Sequence, residues 1–403
     1  NKLIREKLPP TGKRIAIVGA GPAGLAAAFW LVRLGHDVTV YDAASEAGGV
    51  PRWGIPAYRL PKDVLRKESA FIRKLGVRFV FNTKVGTDLP WQRLADSTDL
   101  VLVCVGAMKE MTLGIPGESR PGVLASGAFL ESLNTGAKPK IGTDVVVVGG
   151  GNSAIDAARS ALRLGARVTV VYRRARPDMP ANIEELNGAL EEGVVVLCMS
   201  QPVEIIGEDE NPDSRAKALR VMRMKAGPVD ASGRPMPEAT GETYEIPFDT
   251  LIVAVGERVA PLGLEALGVK TEKDGRIKAD AFTLRSSNPK VYAAGDAVTG
   301  PATAAEAMGQ AKTASEAIDE ALMGAKRFSS LFRSYEYGMT VPLKPAKAKM
   351  TKARLIPSDA RRNNFMEISL GYTGEQARIE AERCLRCDVR ERCRKPEGAA
   401  AKA

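Results

Sequence analysis

Ile15–Asp42 reads IAIVGAGPAGLAAAFWLVRLGHDVTVYD, and Val145–Tyr172 reads VVVVGGGNSAIDAARSALRLGARVTVVY. The two stretches align without a gap, and Arg-Leu-Gly followed by Val-Thr-Val recurs in both. Each runs from an apolar strand through a Gly-x-Gly-x-x-Gly/Ala turn into a helix and a second strand. That order is a dinucleotide-binding fingerprint, in which unpaired amides at the start of the helix face a pyrophosphate. The copies part at their last residue, which is Asp42 in the first and Tyr172 in the second, where Arg173 and Arg174 follow. Two different dinucleotides are therefore expected.

In the first copy Gly19 makes the tight turn, Gly21 lets backbone amides approach the pyrophosphate, and Gly24 permits close packing of helix on strand. Asp42 stands where a carboxylate can accept both hydroxyls of a ribose diol. In the second copy Gly149, Gly151 and Ala154 take the three roles. A carboxylate at the strand end would repel a 2′-phosphate, and Tyr172 does not. Arg173 and Arg174 could pair with that phosphate through forked, charge-assisted bonds, which favours NADP(H) over NAD(H). The alternative is a solvated arginine pair after a strand.

The expected fold class is α/β. Two Rossmann-like dinucleotide-binding domains, one inserted in the other, are followed by a basic C-terminal extension. The first domain takes residues 13–139 and 258–325, the second residues 140–257, and the arm residues 326–403. Gly48–Pro61 (GGVPRWGIPAYRLP) is too rich in Gly and Pro for helix or strand. His36, in the LGHDV turn, is expected to be exposed. Cys104 and Cys198 lie in apolar stretches and read as buried thiols. A short helix from about Gly374 should deliver Cys384, Cys387 and Cys393.

The formal net charge is +10, and residues 323–403 hold 18 Lys/Arg against 9 Asp/Glu, so the arm carries nearly all of it. Only Phe365 and Tyr372 interleave aromatically with those charges after Tyr337. Nucleic acid is disfavoured on that ground. An acidic protein partner or a solvated segment suits the arm better. No apolar run approaches the ~18 residues of a membrane span. The opening lacks a secretory apolar core, and the cysteine usage fits a reducing cytoplasm.

The chain resembles the flavin-dependent NAD(P)H oxidoreductases typified by the small subunit of glutamate synthase. The flavin half of dihydropyrimidine dehydrogenase and the large subunit of NADH-dependent reduced ferredoxin:NADP oxidoreductase belong to the same group. The likeness runs from about Lys13 to Leu322. It rests on VGAGPAGL (Val18–Leu25), the loop with GIPAYRLP (Gly54–Pro61), VVGGGNSAIDAA (Val147–Ala158), VYRR (Val171–Arg174) and AAGDAVTGPAT (Ala293–Thr303). It implies FAD at the first site, held by Gly19, Gly21, Pro22, Ala23, Gly24, Leu25, Asp42, Gly48, Gly49 and Val50. Arg59 is implied to reach the flavin, with Val85 and Gly106 alongside. Gly295 and Asp296 would bind the ribityl chain, and Ala302, Thr303 and Ala304 would bring a helix N-terminus to the ring. NAD(P)H is implied at Gly151, Asn152, Ser153, Arg173, Arg174, Val255 and Gly256.

No side-chain acid or base is called for, because hydride passes between cofactors that are stacked and oriented. No Cys-x-x-Cys pair falls within the first 380 residues, which disfavours a disulfide reductase. Electrons would then leave toward iron–sulfur centres of a partner. Cys384, Cys387 and Cys393 could ligate a [4Fe–4S] cluster or zinc, or remain free thiols. Only 18 residues precede Gly19, with no cysteine among them. The N-terminal iron–sulfur domain of the glutamate synthase small subunit is then lost, upstream or on another chain. The leading expectation is a flavin subunit of a larger redox complex, its catalytic partner oxidising aldehyde, formate or hydrogen. A glutamate synthase small subunit is the alternative enzyme, and a non-catalytic flavin-binding scaffold the alternative class.

Overall fold

Both repeats become the centres of five-stranded parallel sheets in the computed structural model, which describes residues 7–230, 233–331 and 349–383. The first sheet has the order Val291–Ala293, Leu100–Val103, Arg14–Val18, Asp37–Tyr41, Arg78–Val80. The second repeats the pattern with Val123–Ala125, Thr250–Val253, Asp144–Val148, Arg167–Val171 and Val195–Leu197. Even the register agrees: Ile15 pairs with Val38, and Val145 with Val168. Fully apolar strands such as LVLV (Leu100–Val103) are buried on both faces, as helix-covered parallel strands must be.

The sheets show how the chain is threaded. Val291–Ala293, far along the sequence, inserts beside Leu100–Val103 in the first sheet. Val123–Ala125 pairs in the second sheet although it precedes the boundary expected at residue 140. The chain crosses between the sheets through two short stretches, Lys109–Glu110 and Glu257–Arg258, which pair antiparallel. A three-stranded antiparallel excursion, Ser200–Gly207, Ala216–Val229 and Pro235–Pro247, leaves the second sheet and returns to it.

Helix Pro22–Arg33 packs against helix Ala304–Met323 over the first sheet. Ala27, Ala28, Ala311 and Ala314, all with no measurable exposure, make the approach close. Leu31 and Ile318 fill the space beside them, each burial contributing roughly 1.5–3 kcal/mol. His36 is not the exposed turn residue expected. It is buried, with Nδ1 2.8 Å from the Thr11 hydroxyl and Nε2 3.0 Å from Asp319. Partners from outside the turn make its burial tolerable. Burial lowers its pKa against the pull of Asp319. The Gly48–Pro61 loop also holds one helical turn, Val50–Trp53, entered through Gly49 with Pro51 in its first turn. Cys104 is buried as expected, and Cys198 only partly so.

Candidate functional site

The first glycine turn is built by contacts that admit no side chain. Gly19 has φ 106°, donates to the Tyr41 carbonyl at 2.8 Å, and a Cβ there would lie 2.3 Å from the Cys104 oxygen. A Cβ on Gly24 would lie 1.8 Å from the Gly19 oxygen. The Gly-Gly loop comes to the same place: Gly48 donates to the Ala20 carbonyl at 2.9 Å, and a Gly49 Cβ would lie 2.8 Å from the Gly21 Cα. Gly295 approaches Ala23, where its Cβ would lie 3.0 Å from the alanine methyl. Gly21, Ala23, Gly49 and Gly295 thus converge from three stretches of chain. Gly21 is the N-cap of Pro22–Arg33 and offers no capping side chain, so the first amides of the helix keep their capacity for an anion.

Asp42 ends the second strand beside this cradle. Its two oxygens accept the Ala20 amide at 2.5 Å and the Ala44 amide at 2.7 Å. A carboxylate has about four lone-pair sites, so acceptor capacity remains. Burial raises its pKa against those two bonds. Asp296 is likewise raised by burial and opposed by the Ala302 amide. Ala302 leads to Thr303, which caps helix Ala304–Met323 in a reciprocal pair with Glu306. Leu25 packs on the core below the turn, Val85 bridges to Leu89, and Gly106 takes φ 74° at the end of its strand. Val50 is partly exposed on the one-turn helix. Arg52, on that turn, is buried against Glu46 at 2.6 Å, and its Nε and Nη1 have no hydrogen-bond partner.

The second turn repeats the construction. Gly149 has φ 142°, donates to the Val171 carbonyl at 3.0 Å, and its Cβ would lie 2.2 Å from the Ala254 oxygen. Gly151 caps Asn152–Arg163 without a side-chain bond, and a Cβ there would meet nothing within 4 Å. Ser153 sits in that first turn, and Asn152 accepts the Asn182 amide at 2.9 Å. Tyr172 lays its ring on Gly150, whose Cβ would lie 2.5 Å from Cε2, and donates its hydroxyl to the Asp178 carbonyl at 2.8 Å. The two arginines after it separate. Arg173 is exposed, whereas Arg174 pairs with Asp230 of the antiparallel excursion at 2.9 Å. Gly256 has φ 121°, with Val255 partly exposed beside it, and accepts the Met111 amide at 2.9 Å.

Arg59 is half-buried against the second domain. Its Nη1 lies 2.7 Å from Asp156 and its Nε 3.1 Å from Glu185. Burial pushes Asp156 up to about 6, with the Arg59 guanidinium opposing. The loop before Arg59 is tied down by two donors not singled out in the sequence. Lys62 donates to the carbonyls of Pro51 and Ile55, and Asn134 to those of Trp53 and Ile55. Burial and the neighbouring Arg52 charge bring Lys62 down to about 8. The signal that could have found Asp156 is a stripe: Asp156, Arg159 and Arg163 recur at helical spacing in an otherwise alanine-rich, buried helix. Where the domains meet, burial raises Glu257, helped by Glu110 and Asp296. Cys384, Cys387 and Cys393 lie outside the described residues, and among the described ones no three His, Cys, Asp or Glu side chains group as metal ligands.

Two Rossmann sheets of matching order, one threaded through the other and each with a glycine turn at its first crossover, define a two-dinucleotide-binding oxidoreductase of the flavoprotein type. The chain belongs to the pyridine nucleotide-disulphide oxidoreductase family, whose model matches residues 13–311. It is 37% identical over 392 residues to the beta subunit of an NADP(+)-dependent formate dehydrogenase from Moorella thermoacetica, covering 94% of this chain and 55% of that one. It is 36% identical over 328 residues to the small chain of an NADPH glutamate synthase from Halomonas elongata, covering 77% of this chain and 68% of that one. Among solved structures, FprA of Mycobacterium tuberculosis in complex with NADPH superposes with a TM-score of 0.64 at 22% identity, over 80% of this chain and 87% of that one. The chain thus spans little more than half the length of the formate dehydrogenase subunit. Among the described residues no helix is long and apolar enough to cross a membrane.

Proposed function

We propose that this chain is the flavin subunit of an NAD(P)H:acceptor oxidoreductase. Hydride passes between NADP(H) and FAD, and single electrons pass to iron–sulfur centres of a partner within a larger complex. The observation that carries the reading is the pair of glycine cradles with unlike strand ends: a half-buried carboxylate at Asp42, and a ring followed by an exposed guanidinium at Tyr172–Arg173. FAD bound at the first cradle would supply hydride acceptance and one-electron release.

The chain's own residues hold and orient. Gly19, Gly21 and Gly24 present the amides of Pro22–Arg33 to a pyrophosphate, and Asp42 accepts from a ribose. Gly295 and Asp296 border the cradle, and Arg52 offers buried donors to an anionic group. On the nicotinamide side Gly151, Asn152 and Ser153 open the helix, while Arg173 meets a 2′-phosphate. We assign residues 13–139 with 258–325 to the flavin side and 140–257 to the nicotinamide side, with Val123–Ala125 lent to the second sheet. The relatives named above, one in formate oxidation and one in glutamate synthesis, support a role as input or output module of an assembly. Cysteines unpaired at Cys104 and Cys198 suit a cytoplasmic setting.

Anaerobic mixing of the FAD-loaded protein with NADPH and, separately, with NADH tests the reading. Flavin bleaching is expected with both and faster with NADPH; no bleaching by either nucleotide ends it.

A further inference from the structure

The Gly54–Pro61 loop is gripped from three sides. Tyr58 is fully buried, with its ring 3.9 Å from the Arg163 guanidinium carbon and 5.0 Å from that of Arg159. Arg59 next to it bonds Asp156 and Glu185. All of these partners belong to two helices of the second domain, Asn152–Arg163 and Ile183–Glu192. The third side is the C-terminal arm. The Ile368 amide donates to the Tyr58 carbonyl at 2.9 Å, and the Phe365 ring lies 6.2 Å from that of Tyr58.

The arm also holds the second domain directly. Arg361, 5% exposed, reaches Glu191 at 3.3 Å and Glu192 at 3.5 Å, and Arg362 donates to the Glu192 carbonyl at 3.2 Å. Glu192 is buried too and takes forked bonds from Arg159 and Arg163. Burial would raise its carboxyl, but those guanidinium bonds prevail and hold it at about 2. Arg59, Arg159, Arg163 and Arg361 with Asp156, Glu185, Glu191 and Glu192 therefore form one network of four arginines and four carboxylates, joined through the Arg159–Glu185 pair, across the loop, two helices and the arm. Such a network favours one arrangement because its members share partners, Glu192 taking bonds from Arg159 and Arg163 and lying 3.5 Å from Arg361.

The two cradles lie on different sheets, and hydride transfer requires reacting atoms about 3–3.5 Å apart. The angle between the domains is therefore part of the reaction geometry. We propose that residues 354–368 are an interdomain strap that fixes this angle, with Arg361 and Phe365 acting as positioning residues through Tyr58 and Glu192. The proposal rests on the hydride-transfer reading above. The contacts of the strap fall on Tyr58 and on Ile183–Glu192, not on either glycine turn, so loosening it should change geometry rather than binding.

The test uses the full 403-residue chain loaded with FAD and rapid anaerobic mixing with NADPH. In Arg361→Ala and Phe365→Ala, flavin reduction at saturating NADPH is expected to slow about 10- to 100-fold. The NADPH dissociation constant should stay as in wild type, while the long-wavelength charge-transfer absorbance between nicotinamide and flavin fades. Tyr58→Leu should behave alike, and Tyr58→Phe should restore rate and band, because the buried Tyr58 hydroxyl has no hydrogen-bond partner. Should Arg361→Ala fail to fold, Phe365→Ala, which removes a ring and no charge, carries the test. Full-rate reduction with an undiminished band in folded, flavin-loaded strap variants overturns the proposal. If wild type itself is not reduced by either nucleotide, the hydride reading falls instead. Solution X-ray scattering of wild type against Phe365→Ala then decides the strap without any nucleotide: an expanded envelope supports it, and an unchanged one overturns it.

Discussion

Asp42 and Tyr172 occupy matching positions in two copies of one motif, and each closes its glycine turn differently. The Asp42 carboxylate accepts the amide of Ala20, the middle residue of Gly19-Ala20-Gly21, whose methyl is fully buried. Tyr172 instead covers the middle residue with its ring, and Gly150 has no room for a Cβ. The residue after each second strand is thus matched to a second residue inside the turn. Each turn is therefore a coupled pair, Ala20 with Asp42 and Gly150 with Tyr172.

The severest way to separate the two sites is to break each turn in kind. Gly19→Ala forces a methyl onto the Cys104 carbonyl at positive φ, and Gly149→Ala does the same against Ala254. The first should purify without flavin; the second should keep its flavin spectrum yet fail to bleach with NADPH. Equal loss of flavin in both would show that the sites are not independent.

Gly150→Ala alone should destabilise by about 1–3 kcal/mol through overpacking on Tyr172. The double change Gly150→Ala with Tyr172→Asp should recover most of that, since it restores the pairing of the first copy. Thermal melts of the two singles and the double measure the coupling, and simple additivity would refute it.

Arg173→Ala should weaken NADPH about 10- to 100-fold, the worth of one charge-assisted bond, and leave NADH nearly unchanged. Arg174→Ala should have a smaller effect on the NADPH/NADH ratio, because Asp230 already engages its Nη2 and draws the side chain toward the antiparallel excursion. A reversed order in titrations of the two variants would exchange their roles.

The smallest effect concerns pH. Asp156 titrates near 6 in the folded chain against an ordinary 3.8. The folded state therefore takes up the proton first, and wild type should gain stability relative to Asp156→Asn as pH falls from about 6 to 3.8. Urea midpoints of both proteins at pH 4.5 and 7.5 would show a gap that closes or widens; a constant gap counts against the raised value.

The sheets and turns were legible because they obey local rules. Strand apolarity, a glycine turn and a helix at fixed spacing write out each β-α-β unit, and the repeat doubles the evidence. What escaped was made by distant partners. His36 looks like a turn residue until Thr11 and Asp319, one 25 residues before it and the other 283 after, supply its bonds. Arg59 could be placed on its loop, but not its ion pair, because Asp156 lies 97 residues away on another sheet's helix. The arm read as a basic tail because net charge does not reveal that Arg361 has a buried carboxylate, Glu192, to meet. Gly150 belongs to the second glycine motif, yet its tie to Tyr172 is a packing fact that spacing cannot express.

Val291–Ala293 is the last strand of the first sheet to be made, and it covers the Leu100–Val103 edge. A ribosome adding about 5–20 residues per second needs roughly 10–40 s to travel from one to the other. By the end of that interval every strand of the second sheet has been made, while the Leu100–Val103 edge of the first still lacks its partner. Vectorial synthesis therefore lets the inserted domain mature inside an unfinished host. It leaves Leu100–Val103, a wholly apolar edge, as the surface that a nascent-chain chaperone has most reason to shield.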